Sequence, residues 1–106
     1  MHLEVLFEGT VVAVLGRRRD GWYTFRYLPA FGELNLAPLP GFPKADGREY
    51  VSIDLFPFFD ERIPDLCRPE VQEWLRRHPV EAGDKLALLA TLSRESVTDP
   101  YELRQL

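Results

Sequence analysis

Apolar residues change their spacing part-way along this chain, and that change constrains the fold more than any other feature. Up to Tyr27 they alternate along two segments that flank a continuous apolar run at 11–15, whereas after Pro69 they recur at every third or fourth position. The first period belongs to strands with one buried face and the second to amphipathic helices. The chain is therefore predicted to be α+β, with the sheet in its front half and the helices in its back half.

Leu3, Val5 and Phe7 alternate with Glu4, Leu6 and Glu8, and Gly9-Thr10 marks a turn. The run Val11-Val12-Ala13-Val14-Leu15 reads as a well-buried partner, so residues 3–15 make a hairpin. Asp20-Gly21 signals a second turn. Residues 22–27 follow as a third strand, with Tyr23, Phe25 and Tyr27 on one face and Trp22, Thr24 and Arg26 on the other. Pro29, Pro38, Pro40 and Pro43, with Gly32 and Gly41, exclude long central strands in the next stretch. Short edge pieces remain open there, one at Leu34 and Leu36 and one at residues 49–52. The apolar residues between the prolines favour an ordered, packed connection over a polyproline ligand.

In the back half Pro69 suits the first position of a helix, Glu70 and Glu73 lie in its first turns, and Pro79 forbids continuation past His78. Val71, Trp74, Leu75 and His78 share one face, with Trp74 as the expected docking anchor. Asp84 is the expected cap of a second helix over residues 84–92, with Leu86, Leu89 and Ala90 facing inward. These two helices are expected to cover one face of a curved, mainly antiparallel, barrel-like sheet. Asp99-Pro100-Tyr101-Glu102 repeats a helix-start pattern too near the end to propagate, and reads as a short turn or frayed tail.

The 106 residues are the size of one domain, 1–106. The net charge of −4 argues against a broad phosphate-binding surface, so no direct nucleic-acid contact is expected. The basic run Arg17-Arg18-Arg19, next to a turn, reads as a solvated hairpin tip. No apolar run reaches bilayer length and the amino-terminal segment is broken by acids, which points to no membrane association and a cytoplasmic location. The single cysteine, Cys67, excludes an internal disulfide and reads as a partly buried thiol. Phosphate loop, kinase catalytic residues, metal-spaced histidines and nucleophile elbow are all missing, so the expectation is a non-enzyme with no cofactor and no metal. His2 and His78 read as structural, and the acid pairs Glu4/Glu8 and Asp60/Glu61 lack a third oxygen ligand.

Between the two halves lies Phe56-Pro57-Phe58-Phe59-Asp60-Glu61-Arg62-Ile63-Pro64-Asp65. This segment resembles the "pFFdxLLPEG" joint of the HipA amino-terminal domain. The order of elements is similar as well, with residues 34–39 in the place of the family's "LSLSLP" strand and Asp84-Lys85-Leu86-Ala87-Leu88-Leu89 in that of its "DpfaLLaaLG" helix. Two segments depart from the family: Glu61-Arg62-Ile63-Pro64-Asp65-Leu66 replaces "gLLPEG", and Ser93-Arg94-Glu95-Ser96-Val97-Thr98-Asp99 replaces "G-x-D-x-x-G-A".

The resemblance implies a non-catalytic lobe that in full-length proteins sits beside a serine/threonine kinase of a toxin–antitoxin module. The second departure fits a free-standing, HipS-like chain. Its implied role is an antitoxin that binds and neutralises a HipT- or HipA-like kinase. The alternatives are a scaffold bridging such a kinase to a HipB-like helix-turn-helix repressor, or a binding domain unrelated to kinases. The expected partner surface is Phe59, Asp60, Glu61, Arg62, Ile63, Pro64, Asp65 and Leu66, where prolines stiffen a loop of mixed charged and apolar character.

Overall fold

The structure is a computed structural model describing residues 2–63, 67–77, 85–92 and 100–105. Five antiparallel strands form one curved, open sheet in the order β4-β3-β2-β1-β5. These are β1 (His2–Phe7), β2 (Thr10–Arg17), β3 (Tyr23–Tyr27), β4 (Tyr50–Ser52) and β5 (Tyr101–Gln105). Among the described residues four short helices accompany them: α1 (Pro29–Glu33), α2 (Pro57–Asp60), α3 (Pro69–Arg77) and α4 (Lys85–Leu92). The α+β class and the antiparallel curvature agree with the sequence reading, while the sheet stops short of closing into a barrel.

Strand register explains which residues are buried. Leu3, Leu15, Phe25 and Tyr50 stand in one row across four strands, and Leu103, Val5, Ala13 and Tyr27 stand in the next. Both rows point to the same face, because alternate residues of a strand share a side and paired residues lie opposite one another. The intervening row, Arg104, Glu4, Val14 and Arg26, takes the other face. There Glu4 accepts two hydrogen bonds from Arg104, at 2.8 and 3.0 Å, so the outer face carries charge where the inner carries hydrocarbon. The β1–β2 register shifts between Val5 and Leu6, where Val12 of β2 is the extra, unpaired residue, and Phe7 stays on the core side by alternation with Leu3 and Val5. The connecting turn is Glu8-Gly9, one residue earlier than expected. Both residues have positive φ, as a two-residue hairpin of matching twist requires.

The inner face is packed mainly by aromatic rings. Phe25 touches Phe42 at 4.0 Å between centroids and Tyr27 at 5.0 Å, and Tyr27 in turn lies 4.2 Å from Phe31 of α1. Leu86 and Leu89 of α4 complete this core where that helix crosses β1 and β5. The cover is uneven. Helix α3 buries Val71, whereas Trp74 and Leu75 are half-buried and none of the three belongs to the main cluster. Trp74 is thus a partial contact rather than a deep anchor.

Three local expectations are corrected. Residues 34–36 form no edge strand: Pro29 opens α1 instead, Phe31 anchors it, and the helix ends in a turn in which Asn35 has φ 53°. Leu34 is left exposed and only Leu36 packs inward. Residues 101–105 are a full strand rather than a turn or frayed tail, because β1 offers an open edge and Tyr101 and Leu103 each find a place in the core. Cys67 is exposed, since it lies before α3 rather than on a buried face. The expected cap Asp84 and the end of the first back-half helix at His78 lie outside the described residues.

A surface pocket at the strand-to-helix joint

The joint is held by one phenylalanine. Pro57 fixes the first position of α2, where a missing N–H costs nothing, and the four-residue helix sets Phe59 fully inside the core, 5.6 Å from Phe25 and 6.0 Å from Phe42. Phe59 therefore supports the joint from within and presents nothing to a partner, because α2 places it on the core side. The residues after it reach the surface. Asp60 accepts a hydrogen bond from Lys85 at 3.0 Å, tying α2 to the start of α4, and this bond raises the lysine above its usual pKa. Arg62 donates to the backbone carbonyl of Tyr101 at 3.1 Å, so it clamps the joint to β5. Ile63 packs partly against the core. Glu61 is exposed, and its carboxylate makes no hydrogen bond or ion pair with another described residue. Pro64, Asp65 and Leu66 lie outside the described residues.

Sequence reasoning missed the wall opposite α2. Leu39-Pro40-Gly41-Phe42 is a tight turn closed by the Phe42 N–H on the Leu39 carbonyl at 3.0 Å. Pro40 occupies the position that wants a fixed φ, and Gly41, at φ 88°, the one that side chains resist. The two outward backbone groups of this turn go to one buried hydroxyl. Tyr27 Oη accepts from the Leu39 N–H at 2.9 Å and donates to the Phe42 carbonyl at 2.8 Å. Burial is the main reason that its phenol is pushed up to about 12, the Leu39 donor opposing the shift. Tyr50 repeats the device on the surface, accepting from the Lys44 N–H at 2.9 Å and donating to the Lys44 carbonyl at 3.0 Å. The proline-rich connection is thus ordered and packed, as the sequence suggests. The sequence signal that could have found this wall is a Pro-Gly turn flanked by apolar residues.

Between this turn and α2 lies a pocket of about 240 Å3. Pro40, Gly41 and Phe42 line one side, and Phe56, Pro57, Phe58 and Glu61 the other. Its floor is stiff. Phe42 meets Phe56 edge-on at 4.9 Å, and Phe58 meets Phe59 at 5.1 Å and Tyr101 at 6.4 Å. Among the described residues, Glu61 is the one titratable residue lining it.

A model of the HipA N-terminal domain family matches residues 3–97. The chain belongs to this family. The matched region runs from β1 through α4 and includes the joint and the pocket, while β5 lies beyond it. Membership relates the chain to components of HipA-type toxin–antitoxin systems, through a domain that is distinct from a kinase domain. Among curated proteins none matches the sequence.

The remaining candidate sites dissolve into structure. The basic run forms a hairpin tip: Arg17 lies over the Tyr23 ring at 5.3 Å and Arg18 pairs with Asp20. The Asp20 carboxyl is held below its usual value first by the Trp22 N–H and then by Arg18. The acid pairs are split, since Glu4 is engaged by Arg104 and Asp60 by Lys85. No described helix is long and apolar enough to cross a membrane.

Proposed function

We propose that this HipA-family chain is a non-enzymatic antitoxin that binds a separately encoded HipT- or HipA-like serine/threonine kinase and neutralises it through the joint after α2. The observation that carries this reading is the division of labour within the joint. Phe59 fixes it in the core and Arg62 fixes it to β5, so that Glu61 and the adjoining pocket are held on a rigid frame. A preformed surface loses little conformational freedom on association, which favours affinity. Family membership supplies the class of partner.

The test is co-expression with the HipA-like kinase encoded nearest to this chain, scoring growth and co-purification together. Growth restored by a co-purifying complex is the expected result. Loss of both with Glu61→Lys, in a chain that melts like the parent, locates the contact. A kinase that co-purifies while growth stays arrested would replace inhibition with the scaffold role, in which the chain bridges the kinase to a helix-turn-helix repressor. Absence of any complex would overturn the reading.

A further inference from the structure

We infer that the pocket between the Leu39–Phe42 turn and α2 receives one large apolar side chain from a partner's peptide segment, with a lysine or arginine as that side chain's neighbour. The inference deepens the antitoxin reading by giving the chemistry of the segment the pocket recognises, and it rests on that reading for the partner being a protein.

Size comes first. A cavity of roughly 150 Å3 lined by apolar side chains accommodates a benzene ring. The 240 Å3 here hold one aromatic or long aliphatic side chain with part of its backbone. They fall short of the roughly 300–1,000 Å3 common for small-molecule and cofactor sites. Chemistry comes next. The floor is built from Phe42, Phe56 and Phe58, and among the described residues lining it Glu61 is the one with a charged side chain.

Charge selects the neighbour. Two acids stand side by side at the end of α2, and the fold treats them differently. Asp60 already has its cation in Lys85 at 3.0 Å, whereas Glu61, on the pocket's rim, has none among the described residues. A partner cation beside the inserted side chain completes that pair and is attracted by a chain of net charge −4. An acidic neighbour is repelled.

The pocket also exists before binding. Pro40 and Pro57 have fixed φ, the Tyr27 hydroxyl holds both ends of the opposing turn, and Phe59 anchors α2. Its shape therefore costs the partner little to find.

The probes are three capped dipeptides, N-acetyl-Phe-Arg-amide, N-acetyl-Phe-Glu-amide and N-acetyl-Gly-Arg-amide, titrated into the 15N-labelled full chain. Phe-Arg is expected to shift the amide signals of Gly41, Phe42, Phe58 and Glu61. It should bind about fivefold more tightly than Phe-Glu, the upper range for an exposed ion pair, and about tenfold more tightly than Gly-Arg, which lacks the buried ring. E61Q should equalise Phe-Arg and Phe-Glu, and E61K should reverse their order. Both variants change an exposed side chain without a described partner, so folding is preserved. Equal binding of all three probes, or shifts centred away from the pocket, would overturn the inference. A flat dipeptide ranking leaves co-purification with the kinase as it was, and failure to co-purify leaves the ranking as it was, so the two readings fall separately.

Discussion

Tyr27→Phe removes a single oxygen, and the structure makes that oxygen unusually consequential. The ring remains, with its contacts to Phe25 and Phe31, so no cavity of side-chain size opens. What is lost is the partner of two buried backbone groups, the Leu39 N–H at 2.9 Å and the Phe42 carbonyl at 2.8 Å. An orphaned buried polar group costs about 1–3 kcal/mol. Two groups are orphaned, and an unmatched acceptor is tolerated somewhat better than an unmatched donor, so the sum is about 2–4 kcal/mol. Domains of this kind have only about 5–15 kcal/mol in total. With a urea slope of about 1.5 kcal/mol/M, the unfolding midpoint should fall by roughly 1.3–2.7 M, followed by circular dichroism. Tyr50→Phe is the control: it removes the same pair of bonds in an exposed setting, where water replaces them, and should cost less than about 1 kcal/mol. A Tyr27→Phe midpoint within about 0.3 M of the parent, or equal losses in the two variants, would refute the claim that this hydroxyl holds the pocket wall.

The same phenol gives a pH signature. Its folded pKa of about 12 lies above the ordinary 10.0, so its contribution to stability is complete below pH 10 and is lost as pH rises from there through about 12; Tyr27→Phe should flatten that part of an alkaline unfolding profile. Leu103→Ala truncates a fully buried residue opposite Val5 and should cost about 2–5 kcal/mol by urea unfolding, whereas a loss under about 1 kcal/mol would mean that β5 is not part of the core. Arg62→Ala breaks the clamp to the Tyr101 carbonyl and should lower stability by about 1–2 kcal/mol, with faster amide exchange in β5; unchanged exchange there would remove the clamp from the argument. Because Arg62 is structural in this way, Glu61 is the cleaner probe of partner binding.

How much could be read without coordinates depended on whether a segment's fate was local. The first three strands, the antiparallel class and the two back-half helices were legible because alternation in β1 and β3 and helical spacing after Pro69 are properties of neighbouring residues. Pro69 marked the start of α3, and Leu86 and Leu89 are buried as their spacing implied. The joint at Phe56 to Asp65 was also visible, through its resemblance to the family's motif between the two periods. What escaped was set by contacts distant in sequence. Residues 101–105 carry little strand signal of their own and become β5 only because the edge of β1 is open nearly a hundred residues earlier, where Leu103 pairs with Val5. Arg62 reads as a surface charge until the Tyr101 carbonyl arrives beside it, and Asp60 and Glu61 are indistinguishable until α4 brings Lys85 to one of them and not the other. The pocket is the clearest case. Its walls come from a turn at Pro40 and a helix at Pro57, and the hydroxyl that fixes the turn comes from β3, so sequence supplied every part while only packing put them face to face.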